Sequence, residues 1–98
     1  MTENMMTEGT GNVFEELGFP AAAAERLVLR ADLMLQVKSL IETHGWTLGE
    51  AATQFGESVE RIEALQNGKI GQFQIEQLIT MLSAAGMKVR IEVVPKVA

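Results

Sequence analysis

Cysteine is absent from the chain, and with it go disulfides, thiolate nucleophiles and cysteine-ligated zinc or iron–sulfur centres. Stability must come from packing. Histidine occurs once, at His44 just before Gly45, where it reads as a helix-end residue because no second ligand or nucleophile stands near it in the sequence. No nucleophile–base pair, metal-ligand cluster or glycine-rich phosphate loop is present, so no enzyme activity, metal or cofactor is expected. No window approaches the roughly 18 consecutive apolar residues of a membrane span. Residues 1–12 lack the basic segment and apolar run of a secretory signal, and the expectation is a cytoplasmic protein with no membrane partner.

Positive charge is also scarce. Eight Lys and Arg face thirteen Asp and Glu, a net charge of −5 that argues against bulk affinity for a polyanion. The distribution is uneven, with nine acids and three bases in residues 1–57 but four acids and five bases in residues 58–98. Whatever meets a phosphate is expected in the second half. The 98 residues suffice for one domain, and a 47% hydrophobic, 21% charged composition is that of a folding chain. A chain this short buries only about two-thirds of its unfolded surface, which makes oligomerisation a natural supplement.

Along the chain, residues 1–12 show no apolar periodicity and read as a flexible tail, followed by one domain over 13–98. Pro20 suits the first turn of a helix, and the four alanines after it are strong helix formers. Leu33, Val37, Leu40, Ile41 and His44 continue one apolar face up to Gly45, which leaves Arg26, Arg30, Asp32, Lys38 and Glu42 on a solvated side. Thr47 and Glu50 form the pattern of a capping box for a short helix ending at Gly56, and Ser58 can cap another running Val59 to Asn67. Trp46 is placed to plug the junction between helices. Ile75, Leu78, Ile79 and Leu82 mark a helix over Phe73 to Ala85, closed by Gly86. Met34, Met81 and Met87 fit helix or core positions, unlike Met1, Met5 and Met6 in the tail.

From Lys88 to Val94 the pattern alternates, with Val89, Ile91 and Val93 on one side and Lys88, Arg90 and Glu92 on the other. Period two predicts a strand. A lone strand leaves its backbone groups unpaired, so the expectation is that two copies pair these strands across a dimer axis, or that the edge accepts a strand from another protein.

Two short helices joined by a tight turn, Thr47–Phe55 and Ser58–Asn67, have the form of a helix-turn-helix. Ala51 and Ala52 are small where the helices cross, Gly56 takes the turn, and Ile62 and Leu65 point the second helix inward. The chain here resembles the Xre/Cro-type helix-turn-helix family, in its branch of small HigA-like antitoxins. The resemblance runs from about Asn12 to Val94 and rests on Asn12–Phe19, Arg30–Met34, Gly45-Trp46-Thr47 with Glu50-Ala51-Ala52, and Asn67–Ile70 with Phe73. It implies a mainly α, five-helix lambda-repressor-like domain with a short C-terminal strand. It also implies a homodimer that binds double-stranded operator DNA, represses its own operon and neutralises a small basic ribonuclease toxin of the ParE/RelE type. Such a toxin would engage Met1 to Leu29 or the strand edge.

The chain departs from the family pattern with Leu48, Glu57, Val59 and Glu60 around the turn and the start of the second helix. With Ile62 and Leu65 inward, helical geometry puts Glu60, Glu63, Ala64 and Asn67 outward. Two of these four are acidic. A glutamate can accept from a cytosine amino group but repels flanking phosphates. Phosphate contacts then fall to Arg61, Lys69, the helix N-terminus at Ser58 and the Thr47 hydroxyl. The plainer alternatives are that Glu60 and Glu63 form a solvated face, that Thr47 and Ser58 serve as caps, and that Lys69 is a solvated loop residue. A rival function follows from them, an interaction module with the helix-turn-helix shape and no DNA binding.

Overall fold

The computed structural model describes residues 16–95. The tail expected over residues 1–12, and the part of the expected toxin contact before residue 16, lie outside that range.

Helix α1 runs Ala21–His44, 24 residues and about 36 Å at 1.5 Å per residue. It begins one residue after Pro20, whose missing N–H leaves no donor unsatisfied there. It ends at Gly45 in the left-handed region (φ 65°), where the Gly45 N–H donates to Glu42 O and the Trp46 N–H to Ile41 O at 3.1 Å. Helices α2 (Leu48–Phe55) and α3 (Val59–Gln66) follow, then a 3₁₀ turn (Ile70–Gln72) and α4 (Ile75–Ala84). Helix α1 packs along α4, while α2 packs on both α3 and α4.

The core holds Val37 and Ile41 of α1, Ala51 and Phe55 of α2, Ile62 and Leu65 of α3, Phe73, and Leu78 and Met81 of α4. Ala51 is wholly buried, as a close crossing of α2 against its neighbours requires. Phe73 precedes α4 instead of opening it, and extended backbone (φ −127°, ψ 128°) carries its ring into the core.

Of the five helices expected, four α-helices lie wholly among the described residues together with one 3₁₀ turn, and the first described residue, Glu16, is itself helical. Three expectations need correction. Residues 87–95 form neither helix nor strand. A strand exists only against a second row of backbone donors and acceptors, and the described residues of one copy offer none. Val89 packs half-buried against the core, whereas Ile91 is 47% and Val93 92% exposed. Finally, Asp32 is not solvated. It is 8% exposed, next to the buried Leu33 and Met34 in α1, and His44, expected on the apolar face, is exposed instead. Helical spacing assigns faces only by the apolar residues available, and no such residue marks the edge of the buried stripe at position 32.

Candidate nucleic-acid interface

The α2–turn–α3 unit is held by its caps. Thr47 Oγ1 accepts from the Glu50 N–H at 3.1 Å, and Glu50 Oε1 accepts from the Thr47 N–H at 2.8 Å, so both orphan donors are satisfied reciprocally. The chain leaves α2 through Gly56 (φ 69°), and the Glu57 N–H closes the turn on Ala52 O at 2.9 Å. Ser58 Oγ then accepts from the Arg61 N–H at 3.2 Å and starts α3. A third residue braces the unit from behind: Trp46 stacks on His44 with ring centroids 4.4 Å apart and meets the Phe55 ring edge-on at 5.7 Å. The half-buried indole fills the α1–α2 junction, as its sequence position suggests.

Helix α3 buries Ile62 and Leu65 and leaves Val59, Glu60, Glu63 and Asn67 exposed. Ala64, expected outward, is half-buried against the core. Thr47, Ser58 and Lys69 are exposed around the same unit. The surface that α3 presents is therefore the expected one apart from Ala64 and Arg61.

Arg61 is spoken for within the molecule. Its Nε donates to Glu57 Oε1 at 3.2 Å, its Nη1 to Gln72 O at 2.6 Å and its Nη2 to Gln77 Oε1 at 3.3 Å. The guanidinium carbon lies 4.1 Å from the Phe73 ring centroid. A planar fork of five donors suits this arrangement, which ties α3 to the 3₁₀ turn and α4 simultaneously. Gln77 also accepts from the Gln74 N–H at 2.9 Å, so the clamp extends to the start of α4. The Glu57–Arg61 pair, four residues apart, is a helical-spacing signal readable in sequence. Gln72, Phe73 and Gln77 lie 11 to 16 residues away, and no local pattern indicates them.

The electrostatic consequence is plain. Residues 47–69 carry four carboxylates, Glu50, Glu57, Glu60 and Glu63, against Arg61 and Lys69. Arg61 neutralises Glu57. Glu60 and Glu63 then face solvent without an ion pair among the described residues, and Lys69 supplies the motif's unengaged positive charge. No group of His, Asp and Glu side chains among the described residues could hold a metal ion, and no helix there is long and apolar enough to cross a membrane.

No curated protein and no solved structure matches the chain. A family model described as a helix-turn-helix domain matches residues 13–94, a span that contains every helix described above together with the segment after α4 up to Val94. Two capped helices crossing at Ala51, joined through a left-handed glycine and leaving one polar face of α3 open, are the geometry of that match, and the chain belongs to the helix-turn-helix domain family.

Proposed function

We propose that the chain is a sequence-specific DNA-binding transcriptional regulator that acts in the cytoplasm as a homodimer and serves as the antitoxin of a toxin–antitoxin pair, repressing its own operon. The observation that carries the DNA-binding part is the open polar face of α3 set by the Thr47 and Ser58 caps. In this reading Val59, Glu60, Glu63 and Asn67 meet base edges, with Glu60 and Glu63 accepting from cytosine amino groups. Thr47, Ser58 and Lys69 contact phosphates. Arg61 acts from behind, holding α3 against α4 instead of reaching the duplex. Of the alternating residues Val89, Ile91 and Val93, the exposed Ile91 and Val93 carry the contact between subunits, while Val89 packs on its own core. A small basic ribonuclease fits the acidic first half of the chain by charge.

The experiment is fluorescence anisotropy against DNA from upstream of the gene, with scrambled DNA as control, at two salt concentrations. Saturable, selective binding that weakens with salt is the expected result, and Lys69→Ala should weaken it several-fold while lowering the salt slope by about 2, one contact from each subunit of the dimer. Absence of selective binding at low salt would favour the second reading, an interaction module without DNA binding. Its specific support is that Arg61 is engaged internally while Glu60 and Glu63 stay uncompensated. Co-purification with a small basic protein encoded next to the gene would support the antitoxin role under either reading.

A further inference from the structure

Among the described residues, an apolar groove and an apolar segment each lack a partner. The groove, about 360 Å³, lies between α1 and the end of α3, lined by Ala31, Met34, Leu35, Lys38, Leu65 and Ile70. Leu35 at its mouth is 59% exposed, although it stands one residue from the buried Met34. The segment follows α4. Its backbone from 88 to 95 hydrogen-bonds to no other described residue, and Ile91, Val93 and Val94 are 47%, 92% and 63% exposed. Exposed apolar side chains clustered over four residues are a recognised mark of a contact surface.

We propose that the segment Ile91–Val94 of one copy seats in the α1/α3 groove of a second copy, which deepens the dimer reading above and rests on it. The lengths agree. From Ile91 to Val94 an extended chain spans about 10 Å, and from Ala31 to Lys38 helix α1 also rises about 10 Å. The chemistry agrees as well. Alternation puts Ile91 and Val93 on one side of the segment, toward the apolar lining that includes Met34, Leu65 and Ile70, and Glu92 and Val94 on the other, with Lys38 of the same lining available as a charge partner for Glu92. Val89 remains on its own core and anchors the segment as it leaves the molecule. The seat includes Ile70, the neighbour of Lys69, so the partner's segment docks beside the candidate phosphate ligand and sets how two reading helices are spaced.

The absence of native cysteine makes the test clean. Leu35→Cys and Val93→Cys are prepared separately in the full chain, mixed, and oxidised with diamide, which takes up the two electrons and two protons released by disulfide formation. The expected product is a cross-linked dimer formed from the mixture in large excess over either variant alone. Light scattering of the unmodified chain should give a dimer, and Leu35→Asp, a substitution at an exposed site, should raise its dissociation constant at least about tenfold with helical circular dichroism unchanged. A dimer in which Ile91→Cys or Val93→Cys cross-links only with itself would overturn the seat while leaving the dimer intact, because it would mean that the two segments pair with each other. An intrachain disulfide in the Leu35→Cys/Val93→Cys double variant would overturn it by placing the segment in its own groove. A monomeric mass for the unmodified chain would remove both the seat and the dimer, and would leave DNA binding to be judged by anisotropy.

Discussion

Arg61 illustrates how a single side chain changes role once its surroundings are known. By sequence it is the basic residue of the second helix and a natural phosphate ligand. In the fold its guanidinium bonds to Glu57, Gln72 O and Gln77 and lies over Phe73. Arg61→Ala removes a charge-assisted bond to a backbone carbonyl, a ring contact and a partly exposed ion pair, for which a loss of about 2–3 kcal/mol in urea denaturation is expected. Arg61→Lys should recover only a minor part, since an ammonium cannot fork toward Gln72 and Gln77 together. Loss of DNA affinity in these variants should follow the loss of stability, and a variant that keeps full stability while losing affinity would return Arg61 to the DNA surface. Asp32 gives the second residue-scale prediction. Its Oδ2 is buried without a hydrogen-bond partner among the described residues, and burial raises its carboxyl above the ordinary value of 3.8. The native state therefore holds the proton more tightly than the unfolded chain does, so this group's effect on stability turns unfavourable as pH rises from about 3.8 through the raised value. Asp32→Asn should increase the melting temperature at pH 7 and lose that advantage below pH 3.8; an equal gain at both pH values would show that ionisation is not the cause.

At the scale of elements, what was legible was what is local. The capping box at Thr47 and Glu50, the cap at Ser58, the glycine turn and the inward Ile62 and Leu65 each depend on neighbours within four residues, and each stands in the structure where its spacing puts it. What escaped is non-local. The clamp on Arg61 joins segments 11 and 16 residues apart, Asp32 is buried by packing that its own helix does not announce, and the segment 88–94 has a strand's alternation but no second strand among the described residues to pair with. Met87 belongs with these, since it fits a core position by pattern yet is 46% exposed. Two glycines of one short helix test the local argument with opposite signs. Gly49 lies inside α2, where an added Cβ meets only Thr47 Oγ1 at 4.0 Å, so Gly49→Ala should stabilise by about 0.5–1 kcal/mol through reduced freedom of the unfolded chain. Gly56 also has open space around it, but its φ of 69° is costly for any side chain, and Gly56→Ala should destabilise by about 1–2 kcal/mol. Denaturation midpoints of the two variants measure both values, and equal shifts would mean that backbone conformation does not govern this turn.

For the whole molecule the question is how much of its stability belongs to one copy. The core from Leu33 to Leu82 closes around Phe55 and Phe73 without help, so a single copy has the means to fold. Ile91, Val93, Val94 and Leu35, however, leave apolar surface in water that the described residues of the single copy do not bury. Association that covers this surface acts on the folded chain and not on the unfolded one, so it adds to stability by mass action. A hundredfold rise in protein concentration then adds about 2.7 kcal/mol per dimer, equivalent to a urea midpoint higher by about 1 M for an ordinary denaturant slope. The measurement is a pair of urea titrations at 25 °C, at 1 and 100 µM chain, followed through Trp46, whose packing on His44 and Phe55 reports the α1–α2 junction. Superimposable curves would mean that the dimer contributes nothing to the folded state in that range. A shift that disappears in Leu35→Asp would tie the added stability to the groove on α1, because that substitution leaves the monomer core untouched and removes only the surface the second copy needs.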